Sequence, residues 1–152
     1  MREKGRIILW ASLVFLLGAL AVSMFGNTLS LVQTNRTISN SGVVKGIGVG
    51  VYWDSACTNR TSSISWGVLD PGSDRTVTVY VRNEGNSVTT LSKATQSWSP
   101  STAPGYMTLN WNYAGQTLSV NQVLQIKLIL VVSATVSGIT SFGFDIIITA
   151  TG

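Results

Sequence analysis

Histidine is absent from this sequence, and cysteine occurs once, at position 57. These two scarcities remove most of the common catalytic and metal-binding chemistry. A Cys57 nucleophile would have no imidazole to act as its base, a Ser-His-Asp arrangement cannot be assembled, and the His and Cys sets that hold zinc are missing. No intrachain disulfide can form, so stability has to come from packing. Cys57 itself reads as a small apolar residue.

Acid is scarce as well: Glu3, Asp54, Asp70, Asp74, Glu84 and Asp145 are the whole complement. Only Asp70 and Asp74 lie close together. The run Asp70-Pro71-Gly72-Ser73-Asp74 lacks the dense oxygen spacing of a calcium loop and reads as a turn. No glycine-rich strand-to-helix turn of the phosphate-binding kind occurs. The expectation is a protein with no enzymatic activity, no cofactor and no metal.

The net charge of +4 suggests nucleic acid at first sight, but three of the ten basic residues fall within Met1–Arg6. The remaining basic residues are scattered and do not alternate with aromatics, so no nucleic-acid partner is expected.

Charged residues make up 11% of the chain, where an ordinary soluble domain carries about 25%. Much of the apolar surplus lies at the N-terminus. Arg6 is followed by an uncharged stretch from Ile7 to Gly26 holding Trp10, Phe15, Leu16, Leu17 and Phe25, and about 20 such residues span a bilayer core as a helix. Arg2, Lys4 and Arg6 precede it, which holds the N-terminus inside and sends the rest of the chain outward. Residues 1–26 are therefore expected to be a signal peptide or a membrane-spanning helix. The small residues Ala19-Leu20-Ala21 or Ala21-Val22-Ser23 would suit cleavage. Either way the remainder is expected outside the cell, exported or anchored.

From Val43 the pattern changes to period two, with turn signals every eight to twelve positions, the signature of an all-β domain. Ile47, Val49, Val51 and Trp53 share one parity, and Gly46, Gly48 and Gly50 the other, which predicts close approach of another strand or subunit to the glycine side. Thr76–Arg82 alternates cleanly, with Val77, Val79 and Val81 on its core face. Val88–Leu91 predicts a weaker strand, and Ser97–Gly105, with Pro100 and Pro104, a loop. Leu109 and Trp111, then Leu124, Ile126 and Leu128, then Phe142, Phe144 and Ile146 complete the predicted core. The face carrying Val123, Gln125, Lys127, Ile129 and Val131 is half polar and half apolar, as though one end were covered. About seven strands in this length predict a single immunoglobulin-like or jelly-roll antiparallel sandwich over residues 43–152, preceded by one N-terminal hydrophobic helix.

Residues 27–42 form a polar stretch that fits either a linker or a donor strand, with Leu29, Leu31 and Ile38 as its apolar contacts. Two acceptor sequons for N-glycosylation occur, Asn35-Arg36-Thr37 and Asn59-Arg60-Thr61, both on the expected external side.

Val49-Gly50-Val51-Tyr52-Trp53-Asp54, Ser65–Gly72, Val79–Asn86, Ser97–Pro100, Leu109-Asn110-Trp111 and Gly138–Ile146 together resemble archaeal cell-surface β-sandwich proteins. In outline the chain is similar to filament subunits of the bundling-pilus type related to TasA and camelysin. That resemblance implies a homopolymer in which an N-terminal segment of one subunit completes the sheet of the next. Lys4-Gly5 before the apolar run is similar to the prepilin-peptidase site of archaeal type IV pilins, with Arg6 a departure from that pattern. The function expected is a structural subunit of an extracellular filament. The alternative is a monomeric, membrane-anchored adhesion or carbohydrate-binding sandwich that uses Tyr52, Tyr106 and Tyr113, while Trp53, Trp66, Trp98 and Trp111 serve as core.

Overall fold

Alternation of apolar and polar side chains governs the chain from Ile38 to its end. The computed structural model describes residues 38–152, so Leu29, Leu31, Asn35 and the predicted N-terminal helix lie outside the described residues. Eight strands follow: β1 (Ser39–Ile47), β2 (Val49–Tyr52), β3 (Ser63–Ser65), β4 (Asp74–Asn83), β5 (Thr90–Ser99), β6 (Met107–Trp111), β7 (Val123–Val132) and β8 (Ser141–Thr151), with one 3-10 turn at Ala103–Gly105. They form two four-stranded sheets, ordered β3-β1-β8-β5 and β2-β4-β7-β6. Buried residues from both sheets make one continuous core, so the domain is a β-sandwich.

The predicted inward parity holds for the long strands. Val79 and Val81 of β4, Ile126 and Leu128 of β7, and Phe142, Phe144 and Ile146 of β8 are all buried. Leu109 is buried too, while Val77, Trp111 and Leu124 pack against this core partly exposed. An aromatic stack anchors one side: the Trp98 and Phe144 rings lie 4.0 Å apart and 7° from parallel, and Trp66 stacks on Phe144 at 6.2 Å. Gly42 leaves room for Trp66, because a Cβ at that position would come within 3.3 Å of the indole nitrogen.

Several expectations need correction. The sandwich already includes Ile38 and β1 from Ser39, ahead of the start expected at Val43. Ile38, expected among the apolar contacts of a linker or donor strand, bridges to Leu69 and is 1% exposed, within the core of its own chain. The cause is parity, since Ile38, just before β1, and Gly42 and Val44 on it face inward and leave Val43 outside.

The continuous strand expected through Trp53 is broken at Gly48, whose φ of +73° turns the chain from the first sheet to the second. Val49 and Val51 keep the expected inward parity, and Trp53, one residue past the end of β2, is exposed. The glycine side is approached by the chain itself: a Cβ on Gly46 would meet the Val49 carbonyl, and one on Gly50 would meet Tyr52 and Glu84.

The sandwich is also not wholly antiparallel. β1 runs parallel to β8 over nine residue pairs, from Ser39–Ser141 to Ile47–Thr149. These strands are joined by most of the domain and need no tight hairpin.

The segment expected to be a loop, Ser97–Gly105, begins three residues later than expected, since β5 continues to Ser99. The register with β8 shifts between Gln96 and Ser99, with Ser97 at a φ of +57°. That bulge returns Trp98 to the core side, where it stacks on Phe144. At the apolar end of β7's outer face, Val131 is exposed.

Candidate functional site

Two of the sandwich's edges carry the features that bear on function. On the first, β2 is a border strand, and the loop after it folds back to cover it. Asp54 organises that loop: its carboxylate accepts the Thr58 amide at 3.1 and 3.2 Å and the Asn59 amide at 2.7 Å. Those backbone donors hold its carboxyl below the usual aspartate range. The Trp53 amide then donates to the Asn59 carbonyl, and the Thr61 amide to the Val51 carbonyl, both at 2.8 Å. Residues 59–61 thus act as a short strand added to β2, with Arg60 bridged to Tyr52.

A charged cluster sits over this added strand. Glu84 accepts from Arg60 Nη2 at 2.9 and 2.6 Å, from Arg82 Nη2 at 2.9 Å and from the Tyr52 hydroxyl. Both guanidinium groups lie just over 5 Å from the Tyr52 ring centre. Donation from Tyr52, then from the two arginines, draws the Glu84 carboxyl down to about 2 against the opposing effect of burial. The same bond, with burial, pushes the Tyr52 hydroxyl up. Burial raises the neighbouring Cys57 thiol, which is therefore less available as thiolate. Arg82 Nε is buried without a partner. The cluster ties the loop to the sheet and leaves Glu84 saturated with donors.

Asn83, beside it, is 1% exposed. Its Nδ2 donates to the Ser87 and Leu118 carbonyls at 2.8 and 3.0 Å, and its Oδ1 accepts the Gly85 amide at 2.9 Å. The Asn83–Asn86 break expected after β4 is thus fastened by a buried side chain.

The second edge is β5, which ends the first sheet. The Leu91 amide donates to the Tyr113 hydroxyl at 2.9 Å, so it points away from β8. Antiparallel alternation turns the amides of Lys93 and Thr95 to that same side. Among the described residues no strand pairs with this side between Tyr113's contact and the bulge at Ser97. Lys93 partly guards it: its ammonium crosses to the Leu109 carbonyl at 2.6 Å, and burial lowers its pKa. An inward-pointing lysine is a usual way of blunting an exposed edge.

Of the residues singled out in the sequence, Ile38 and Asn59 are described, and the structure does not bring them together. Asn59 is exposed on the loop covering β2. Tyr52 is buried, and Tyr106 and Tyr113 are partly buried against the core. Sequence reasoning missed both the β5 edge and the Arg60-Glu84-Arg82 cluster. The only signal for the edge was the weak alternation of Leu91, Lys93 and Thr95, and no local signal could have joined Arg60 to Glu84.

No protein-family model matches the chain, and a search of curated proteins finds no match. Among the described residues no three His, Cys, Asp or Glu side chains gather as metal ligands, and no helix is long and apolar enough to cross a membrane.

Proposed function

We propose that the chain is a structural subunit of an archaeal extracellular filament, a pilus-like homopolymer with an immunoglobulin-like sandwich as its repeating body. In this reading it is not an enzyme. Its N-terminal hydrophobic segment takes it to or through the membrane, and its partners are copies of itself. The observation that carries the proposal is the unpaired outer side of β5 over Ser92–Gln96. A strand added there would gain backbone hydrogen bonds and cover an edge that otherwise invites uncontrolled pairing.

Asn27–Thr37 is the donor in this proposal, with Leu29 and Leu31 as its two same-face contacts. Ile38 marks where the donor must end, because it is already part of its own core. The parallel pairing of β1 with β8 places the start of β1 at the end of the sheet where β5 finishes, with Ser39 beside Ser141 and Ser99 beside Gly143. An extended stretch of this length reaches about 35 Å, whereas Ser92–Gln96 occupies about 17 Å. Length therefore permits both docking on a neighbour and a spacer.

The test is negative-stain imaging and sizing of the full chain, a variant lacking residues 27–37, and Thr95→Pro. The proline removes an amide on the open side and none from the ladder to β8. Both variants should keep a cooperative β-sheet melt and form no fibres. Normal fibres from the deletion variant would refute donor-strand assembly. Soluble monomers of the full chain at every concentration would refute the filament and favour the anchored adhesion reading.

A further inference from the structure

N-glycosylation needs two parts of an Asn-X-Thr tripeptide at once: the asparagine amide nitrogen, which is modified, and the hydroxyl two residues on, which the transferring enzyme recognises. The folded chain offers one of these at Asn59-Arg60-Thr61 and hides the other. Asn59 is exposed. Thr61 is 7% exposed, and its Oγ1 is inaccessible and without a hydrogen-bond partner. The backbone between them is held on both sides, by Trp53 donating to Asn59 and Thr61 donating to Val51, and Arg60 is clamped by Glu84.

We propose that Asn59 is an N-glycan acceptor that is open only before residues 59–61 dock onto β2, and that folding closes the site. The proposal rests on the extracellular reading above only for bringing the chain to the glycan donor. The donor class is an oligosaccharide linked through phosphate or diphosphate to a polyprenyl lipid. The Asn59 amide nitrogen bonds to C1 of the reducing sugar as the C1–O bond to phosphate breaks. The lipid phosphate leaves with the electron pair, and the amide gives up a proton to base. Once the chain folds, the exposed Asn59 side chain leaves the glycan in solvent, outside the core.

The test compares three forms of the full-length chain incubated with a purified single-subunit oligosaccharyltransferase and lipid-linked oligosaccharide, with occupancy read by peptide mass spectrometry. The forms are the folded wild type, the Phe144→Ala/Ile146→Ala double variant, which loses two buried core side chains and is checked by circular dichroism to be unfolded, and folded Glu84→Ala, which frees Arg60. Asn35-Arg36-Thr37 has the same tripeptide and reports in the unfolded chain that enzyme and donor are active on it. Asn59 should be filled in the unfolded variant and at least about tenfold less in the folded wild type, since transfer then waits on local opening. Glu84→Ala should recover part of the difference. Wild type glycosylated before folding should melt within a few degrees of unmodified protein. Equal occupancy of Asn59 in folded and unfolded chains would overturn the gating. An unfolded chain filled at Asn35 and left unmodified at Asn59 would overturn the acceptor assignment.

Discussion

Replacing Phe144 with alanine tests the core where its geometry is most demanding. Phe144 is 3% exposed and lies against Trp98 at 4.0 Å and Trp66 at 6.2 Å. Truncating a buried phenylalanine costs about 3–5 kcal/mol, because transfer free energy is lost and a cavity is left. Two stacked indoles lose their common partner, which argues for the upper part of that range. Small domains are stable by about 5–15 kcal/mol, so about a quarter or more of the total is removed, and the melting temperature should fall by about 10–25 °C. Near-ultraviolet circular dichroism should weaken below the melt as Trp98 and Trp66 lose their fixed packing. Ile147, the next residue but two, points out of the same strand on the other parity. Its replacement by alanine should cost about 1 kcal/mol or less. A Phe144→Ala domain that melts like wild type, with Ile147→Ala strongly destabilised, would refute the inward assignment of β8.

Three further outcomes follow from the cluster at the β2 edge and its neighbours. Glu84 has a folded pKa of about 2, below its ordinary value of 4.5; its stabilising contribution is therefore present above pH 4.5 and lost as pH falls towards 2. Melting temperature against pH should show that acid decline, flattened in Glu84→Gln, and an unchanged decline in the variant would remove Glu84 as its source. Asn83→Ala deprives two carbonyls and one amide of buried partners and should cost about 2–4 kcal/mol in urea unfolding; Asn83→Asp should also destabilise, because it sets an acceptor against those carbonyls. Gly50→Ala places a Cβ against Tyr52 and Glu84 and should lower stability by about 1–3 kcal/mol, with wild-type melting counting against the close packing of Tyr52.

Much of the fold was legible because each long strand is buried on one face only. Val77, Val79 and Val81, or Phe142, Phe144 and Ile146, announce their core side wherever the chain places them, since a period of two leaves no other face for them. The turn at Asp70-Pro71-Gly72 was legible for a local reason too. Gly72 has a φ of +77°, and Ser73 bonds back to the Asp70 carbonyl. At the edges that logic weakens. Thr90–Gln96 is half exposed and mostly polar, so its pattern resembled a fading strand, and a bulge at Ser97 then switched the parity that would have placed Trp98.

The sequence by itself determined that the described chain would be built of strands, which faces those strands would bury, and that imidazole chemistry and an intrachain disulfide were unavailable. These follow from composition and local periodicity, which depend on neighbours a few residues apart. Only the tertiary structure decided that Ile38 belongs to its own core, that β1 runs parallel to β8, and that Gly48 passes the chain from one sheet to the other. It also decided that Arg60 and Arg82 converge on Glu84 and that Thr61 is buried beside an exposed Asn59. The physical reason is that pairing partners, edges and charge clusters depend on which strands lie side by side. The packing of the whole domain chooses that order among many that the same alternation would allow.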